Sequence, residues 1–176
     1  MGGAKPLPVM PSAAKSAALA GHADPDPLPP VAHSLPVRLI RAREALMTRI
    51  RPVLRAHGLT EQQWRVLCTV RDLGEIEITV LAEQVFLLPP SLSRIVRDLE
   101  ARGLLARRSS VQDQRRALVS VTATGEALIH RVEPSLIEMR LQMRRAVGLS
   151  RLKALGDLLD EIEACLGAPA RPSRED

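Results

Sequence analysis

The stretch from Leu87 to Val121 constrains the fold of this chain more than any other. Its first half carries apolar residues at the spacing of one helix face, namely Leu92, Ile95, Val96 and Leu99. The opposite face of that helix carries serine and arginine, at Ser91, Ser93, Arg94 and Arg97. Gly103 then ends the helix, and two short strands at 104–108 and 117–121 form a basic hairpin. This order is typical of a domain that binds duplex DNA.

The composition favours helices over a sheet-based core. Tyrosine is absent, and Trp64 and Phe86 are the only aromatic residues. Sandwiches and barrels usually draw on aromatic and β-branched residues, so a core of Leu, Val, Ile, Ala and Met predicts a mainly α fold. The length of 176 residues suffices for one domain, and the net charge of +5 favours an anionic partner such as nucleic acid.

Several features predict a cytoplasmic protein without a membrane partner. Cys68 and Cys165 lie far apart within apolar helical patterns, which indicates a reducing compartment rather than a disulfide scaffold. The sequence contains no apolar run long enough to cross a bilayer and no convincing signal peptide. We find no metal-ligand spacing, phosphate-binding loop or nucleophile motif, so we expect no metal, no cofactor, no catalytic residues and no enzyme activity.

Helix-capping and helix-breaking residues divide the chain into a disordered tail at 1–33, one domain at 34–166 and a polar tail at 167–176. Thr60 and Gln63 form a capping box. The predicted caps of the first, second, third, fifth and sixth helices are Ser34, Thr60, Thr79, Thr122 and Ser150. A turn at 87–90 separates the third and fourth helices, and a very short strand is expected at 75–78.

The third and fourth helices are expected to form a helix-turn-helix, with the basic hairpin as its wing. The alternative is an ordinary helical hairpin in an all-α protein. The chain resembles the MarR family of bacterial winged helix-turn-helix regulators. The segments that carry the resemblance are Leu59–Leu67, Leu81–Glu83, Pro90–Arg94, Leu99–Leu104, Asp113–Arg116 and Leu118–Thr122 with Gly125. The resemblance implies a mainly α (α+β) fold with a two-stranded β wing. It places a DNA-binding lobe at 60–121 and dimerisation helices at 34–57 and 122–166.

The predicted DNA contacts are Pro90, Ser91, Ser93, Arg94, Arg97, Arg107, Asp113, Arg115 and Arg116. Arginine binds guanine O6 and N7 with two hydrogen bonds, and serine hydroxyls bind bases or phosphates. Arg115 or Arg116 is expected in a narrow minor groove, whereas Asp113 is expected to hold an arginine in place. The alternative for Arg107, Arg108 and Arg116 is solvated charge on strand edges.

One such lobe binds too weakly to be selective, which predicts a homodimer on an inverted repeat in double-stranded DNA. More apolar side chains occur near both ends of the domain than one winged lobe can cover, namely Leu35, Leu39, Met139, Met143, Val147 and those from Leu152 to Leu166. The alternative is that these helices pack within one chain.

The resemblance also implies an effector pocket between the first, second and fifth helices. The candidate lining residues are Arg43, Met47, His57, Trp64 and Arg65. Arg43 lies at the margin of the apolar stripe of the first helix, where a guanidinium favours a carboxylate partner. The alternatives are an internal salt bridge of Arg43 to Glu44, Glu61 or a fifth-helix acid, a core position for Trp64, and a helix-end position for His57.

Within the family, the chain is similar to regulators of homoprotocatechuate degradation. The segments that carry this similarity are Leu35–Pro36, Ala42–Ala45, Arg51–Pro52, Leu54–Leu67 and Leu87–Arg94. The similarity implies repression of a homoprotocatechuate or 4-hydroxyphenylacetate operon, with release by a small aromatic carboxylate. Two alternatives use the same fold: a redox sensor acting through Cys68 or Cys165, and an architectural dimer that binds DNA without sequence preference.

Overall fold

A computed structural model describes residues 30–109 and 117–167 of the chain. In order, its elements are a 3₁₀ turn Val31–His33, α1 Leu35–Ala56, α2 Glu61–Leu73, β1 Ile76–Glu77, α3 Ile78–Gln84, α4 Pro89–Ala101, β2 Leu105–Ser109, β3 Ala117–Val121, α5 Ala123–Val147 and α6 Leu149–Cys165. The predicted fold class, mainly helical with a small β element, is confirmed. The described residues fall into a smaller unit that ends at Arg43 and a larger unit that begins at Glu44, and the predicted tails lie almost entirely outside the described residues.

Three antiparallel strands form the sheet in the order β1-β3-β2. Central strand β3 pairs through Val119 with Ile76 of β1 on one side and with Arg107 of β2 on the other. The hairpin predicted from the sequence is therefore extended by the very short strand expected at 75–78. Since Glu77 of β1 is followed directly by Ile78 of α3, the sheet is joined to the helix-turn-helix without a linker.

Two predicted helix caps are confirmed. Thr60 Oγ1 accepts a hydrogen bond from the Gln63 amide (3.1 Å), while the Thr60 amide donates to Gln63 Oε1 (2.8 Å). Thr122 Oγ1 accepts from the Gly125 amide (3.0 Å) and donates to the Gly103 carbonyl (2.6 Å). Both caps satisfy amides that have no partner within the helix, and Thr122 also connects the start of α5 to the end of α4.

The caps predicted for the third and sixth helices are wrong. Helix α3 begins before Thr79, because the chain passes directly from β1 into the helix, and the Thr79 hydroxyl donates to Glu77 Oε1 (2.6 Å) instead of accepting from an amide. Helix α6 begins before Ser150, because Gly148 with φ +93° joins it directly to α5. No side-chain hydrogen bond caps either helix.

Two further starts differ in detail from the prediction. Ser34 precedes α1 as expected, but its hydroxyl donates to the Val31 carbonyl (2.7 Å). Pro89 and Pro90, expected in the turn, form the first two positions of α4. Proline has no amide proton, and the first helical amides have no intrahelical acceptor, so this position leaves no hydrogen bond unmade.

The core of the larger unit is aliphatic, as the composition predicts. Its largest fully buried side chains include Leu54, Val66, Leu67, Val70, Leu81, Val85, Leu92, Val96, Leu99, Leu105, Val119 and Ile129. Trp64 is partly buried and packs against this core, which favours the core alternative for its ring. The predicted apolar face of α4 is buried at Leu92, Val96 and Leu99, so its orientation is fixed.

Helix α6 buries none of its residues in the single chain, although it exposes Leu149, Leu155 and Leu158. The second half of α5 likewise exposes Ile137, Leu141 and Val147. Within the smaller unit, the described residues with large exposed apolar side chains are Val31, Leu35, Leu39 and Ile40. Groups of exposed apolar side chains such as these often mark an interaction surface. No helix in the described ranges has both the length and the apolarity that a membrane span requires.

Candidate nucleic-acid interface

Helix α4 presents the predicted polar face to solvent because its opposite face is held in the core. Pro90, Ser91, Ser93 and Arg94 are all exposed. Among the described residues, no hydrogen bond or ion pair involves the Arg94 side chain. A guanidinium in this setting keeps all five donors available for bases or phosphates.

Arg97 is more constrained than the sequence indicates. Its Nε donates to the carbonyl oxygen of Ser93 at 3.2 Å, so the side chain is directed back along its own helix. Arg97 itself is exposed, and its terminal guanidinium nitrogens are not used by that bond. The structure therefore brings Ser93, Arg94 and Arg97 onto one surface.

A tether between α2 and α4 was not anticipated from the sequence. Gln63 Nε2 donates to Asp98 Oδ2 at 2.7 Å, while Gln63 Oε1 completes the capping box of α2. Arg102 lies 3.7 Å from the same Asp98 carboxylate. One glutamine side chain therefore caps α2 and also fixes the orientation of α4. The capping box signals Gln63, but no local pattern signals its partner 35 positions away.

A second unanticipated pair lies at the base of the wing. The Arg108 guanidinium binds the Glu75 carboxylate through two hydrogen bonds, of which Nε to Oε1 measures 2.6 Å. These bonds hold the pKa of Glu75 below its ordinary value and raise that of Arg108. Arg108 remains a largely exposed charge, as the alternative expects, but its pairing with Glu75 also ties β2 to the residue before β1. Its neighbour Arg107 is exposed on the opposite face of the strand.

The predicted wing-tip contacts are Asp113, Arg115 and Arg116, and all three lie outside the described residues. Their assignment stays a prediction. The described wing residue in the predicted set is Arg107, which is exposed on β2.

The predicted effector residues occupy varied environments. Arg43 is an exposed residue of the smaller unit. In the larger unit Met47, Trp64 and Arg65 are partly buried. His57 follows the last residue of α1, and its amide donates to the Leu54 carbonyl at 3.0 Å, as expected of a helix-end residue.

The larger unit contains a shallow pocket of about 220 Å³ between the end of α1 and the start of α2. It is lined by Arg51, Leu54, Arg55, Leu59, Thr60 and Glu61, so it includes none of the predicted effector residues. Arg51 binds the Glu44 carboxylate with both terminal nitrogens and lies 3.4 Å from Glu61. The two glutamates proposed as partners of Arg43 thus both contact Arg51.

The environment of Cys68 disfavours the redox alternative at this position. Burial raises the pKa of the Cys68 thiol to about 12, which outweighs the opposing effect of nearby Arg71. A thiol protonated at neutral pH is a poor nucleophile and a poor target for peroxide. Cys165 is exposed near the end of α6. In the described ranges, no group of histidine, cysteine and acidic side chains is arranged to hold a metal ion.

Comparison with known proteins identifies similar regulators. Residues 59–117 match the profile of the MarR family. The HTH-type transcriptional regulator FarR of Neisseria gonorrhoeae is 36% identical over 129 residues, 73% of this chain and 88% of that protein. The homoprotocatechuate degradative operon repressor of Escherichia coli is 34% identical over 131 residues, 74% of this chain and 88% of that protein. The crystal structure of NadR in complex with 4-hydroxyphenylacetate has a TM-score of 0.70 and 36% identity, covering 78% of this chain and 97% of that one.

Proposed function

Since the chain belongs to the MarR family of transcriptional regulators, as its motifs predict, we propose that it represses an operon for catabolism of an aromatic acid. In this proposal a homodimer binds an inverted repeat in duplex DNA, and a small aromatic carboxylate causes the dimer to dissociate from the DNA. Residues 60–121 form the DNA-binding lobe, and the helices at 34–57 and 122–166 form the dimer. The observation that carries the proposal is the unengaged Arg94 on a helix fixed by its buried face and by the Gln63–Asp98 bond.

Helix α4 is the proposed recognition helix in the major groove. Ser91, Ser93 and Arg94 supply hydroxyl and guanidinium donors on one exposed surface, which suits base edges and phosphates. Arg107 on the wing adds a further exposed cation, and we assign Arg115 or Arg116 to the adjacent minor groove, with Asp113 holding one of these arginines in place. The Glu75–Arg108 pair supports the wing at its base.

A homodimer is supported by the apolar residues that the single chain leaves exposed. MarR family regulators bind operator DNA as dimers. In this chain α6 has no buried residue, and it exposes Leu149, Leu155 and Leu158. Burying such side chains against a second copy removes apolar surface from water, which stabilises the dimer by about 25 cal/mol for each Å² buried.

The effector assignment rests on relatives. NadR is crystallised with 4-hydroxyphenylacetate, and the relative from Escherichia coli represses a homoprotocatechuate operon. An anion with a flat ring suits an arginine beside apolar side chains. The residues we assign to effector binding remain Arg43, Met47, His57, Trp64 and Arg65, and the first ligands to test are 4-hydroxyphenylacetate and homoprotocatechuate.

The recognition-helix assignment is tested by Arg94→Ala with Arg131→Ala as the matched control, since Arg131 is an exposed arginine of α5 outside this surface. In a footprinting experiment the wild-type protein should protect an inverted repeat. The affinity of the protein for this operator should fall steeply as the salt concentration rises. Arg94→Ala should lose about 1–3 kcal/mol of discrimination per half-site while size-exclusion chromatography still shows a dimer. Retained selectivity in Arg94→Ala would refute this role, and a footprint without sequence preference would favour the architectural alternative.

The effector assignment is tested by titrating 4-hydroxyphenylacetate or homoprotocatechuate into the protein–operator complex. The control is 4-hydroxyphenethyl alcohol, which keeps the ring hydroxyl of 4-hydroxyphenylacetate and replaces only its carboxylate. A ligand that binds the DNA-free form more tightly shifts the equilibrium in proportion to that difference. We expect release by the carboxylates alone, and a weaker response in Arg43→Gln. Release by none of the aromatic acids would refute the proposed effector class without affecting the DNA-binding assignment.

A further inference from the structure

Phe86 breaks a local rule of backbone conformation. Among the described residues it is the one non-glycine residue with a positive φ, at +50°. A side chain with a Cβ is sterically disfavoured in this left-handed region. Phe86 is also one of only two aromatic residues in the chain.

The positive φ arises from the way in which α3 ends. The Phe86 amide donates to the Glu83 carbonyl (3.2 Å), and the Leu87 amide donates to the Ala82 carbonyl (3.2 Å). These two bonds define a Schellman motif, in which the left-handed residue is usually glycine.

The same chain uses glycine where this motif recurs. Gly58 after α1 and Gly103 after α4 have φ of +66° and +67°. Gly103 makes the corresponding bond to Glu100, and the next residue, Leu104, makes the bond to Leu99, both at 2.9 Å. The motif is therefore complete without a side chain, and the helix end does not require phenylalanine at position 86.

Packing against residues 30–109 and 117–167 does not account for the ring either. Phe86 is 67% exposed and lies outside the buried core. An aromatic ring contributes to stability mainly through burial, so an exposed ring in a disfavoured conformation indicates a contact beyond the described core.

The position of the ring indicates which contact this is. Phe86 lies in the turn that leads into α4, and Leu88, immediately before that helix, is 75% exposed. The residues that follow are also exposed, and they include Pro90 and Ser91 of the proposed recognition surface. The apolar patch formed by Phe86 and Leu88 is thus continuous along the chain with the proposed DNA contacts.

The apolar group that duplex DNA offers in the major groove is the 5-methyl of thymine. We propose that Phe86 contacts a thymine methyl at the edge of each operator half-site and thereby contributes to sequence preference. The inference rests on the proposed function, because it requires an operator. It adds an apolar contact to a surface otherwise made of hydroxyl and guanidinium groups.

The test combines protein variants with a change of a single DNA methyl group. Phe86→Gly should raise the Tm or leave it unchanged, because glycine suits the positive φ, yet weaken operator binding at least five-fold. Phe86→Asn, which tolerates the same conformation, should bind as weakly as Phe86→Gly. Phe86→Leu should retain most of the affinity. A protein that unfolds no more easily but binds less tightly cannot owe its weaker binding to misfolding.

Each thymine of the footprinted operator is then replaced singly by deoxyuridine, which lacks only the methyl. At the contacted position the wild type should lose affinity, whereas Phe86→Gly should show no further loss. Wild-type affinity in Phe86→Gly would overturn the inference and assign the ring to a partner other than DNA. Equal uracil sensitivity in wild type and variant would also overturn it. Failure of the wild type to bind any operator would instead refute the proposed function.

Discussion

Gly125 at the start of α5 offers the sharpest test of how the wing is attached to the helices. A Cβ at this position would lie 2.7 Å from Val121 Cγ1 and 3.2 Å from the Leu104 carbonyl carbon, and closer still to the Leu104 oxygen. That oxygen accepts a hydrogen bond from the Thr122 amide at 3.1 Å. Because the obstruction is backbone rather than a flexible side chain, Gly125→Ala forces α5 away from the α4–β2 connection.

Two effects of opposite sign decide the magnitude. Alanine has the better helix propensity by about 1 kcal/mol, which alone predicts a more stable protein. Overpacking costs about 1–3 kcal/mol, and disturbance of the Thr122 cap adds about 1 kcal/mol. The clash therefore outweighs the propensity, and we expect a net loss of about 2 kcal/mol. This corresponds to a fall in Tm of about 4–8 °C for a chain of this size.

The assay is urea and thermal unfolding of both proteins at one protein concentration, because the stability of a dimer depends on concentration. Thr124→Ala is the matched control, since Thr124 is the exposed neighbour of Gly125 in the first turn of α5 and the substitution introduces the same residue type. We expect the control to be as stable as the wild type or more so. A Gly125→Ala protein as stable as the wild type would refute the close approach of α5 to Leu104.

Two further predictions concern titratable groups. Burial raises the pKa of Cys68 to about 12, whereas Cys165 is exposed. At neutral pH, iodoacetamide should therefore label Cys165 in the folded protein and leave Cys68 largely unmodified. Rapid labelling of Cys68 in the folded protein, detected by mass spectrometry, would contradict its burial. The Arg71 guanidinium, 2.5 Å from Glu133, holds the pKa of that carboxyl below its ordinary value. A pKa lower in the folded than in the unfolded state stabilises the fold while Glu133 is ionised, and this stabilisation is lost as the pH falls through the glutamate range. Glu133→Gln should therefore show a smaller decrease of Tm between about pH 6 and pH 3 than the wild type; an unchanged pH profile would show that the pair does not contribute.

Features that depend on neighbouring residues were predictable from the sequence. The spacing of Leu92, Val96 and Leu99 predicts the buried face of α4, and the structure buries all three. The capping box of Thr60 is likewise confirmed. The caps at Thr79 and Ser150 were wrong because the preceding strand and glycine, rather than a side-chain oxygen, determine where those helices begin.

The arrangement of the candidate site was only partly predictable. The sequence identifies Ser91, Ser93 and Arg94 as exposed on one surface, and the structure places them so. It does not show that Arg97 is directed back to the Ser93 carbonyl. Nor does the sequence show that the pocket between α1 and α2 is lined by residues other than the predicted effector residues.

By itself, the sequence determined the elements, the buried face of the recognition helix and the family, because periodicity and capping act over one or two helical turns. Only the tertiary structure decided that Gln63 binds Asp98 and that Arg108 binds Glu75, since these partners are 35 and 33 positions apart. It also decided that Phe86 takes a left-handed conformation with its ring exposed. Such pairings and conformations depend on how separate elements pack against each other, and a one-dimensional pattern does not contain that information.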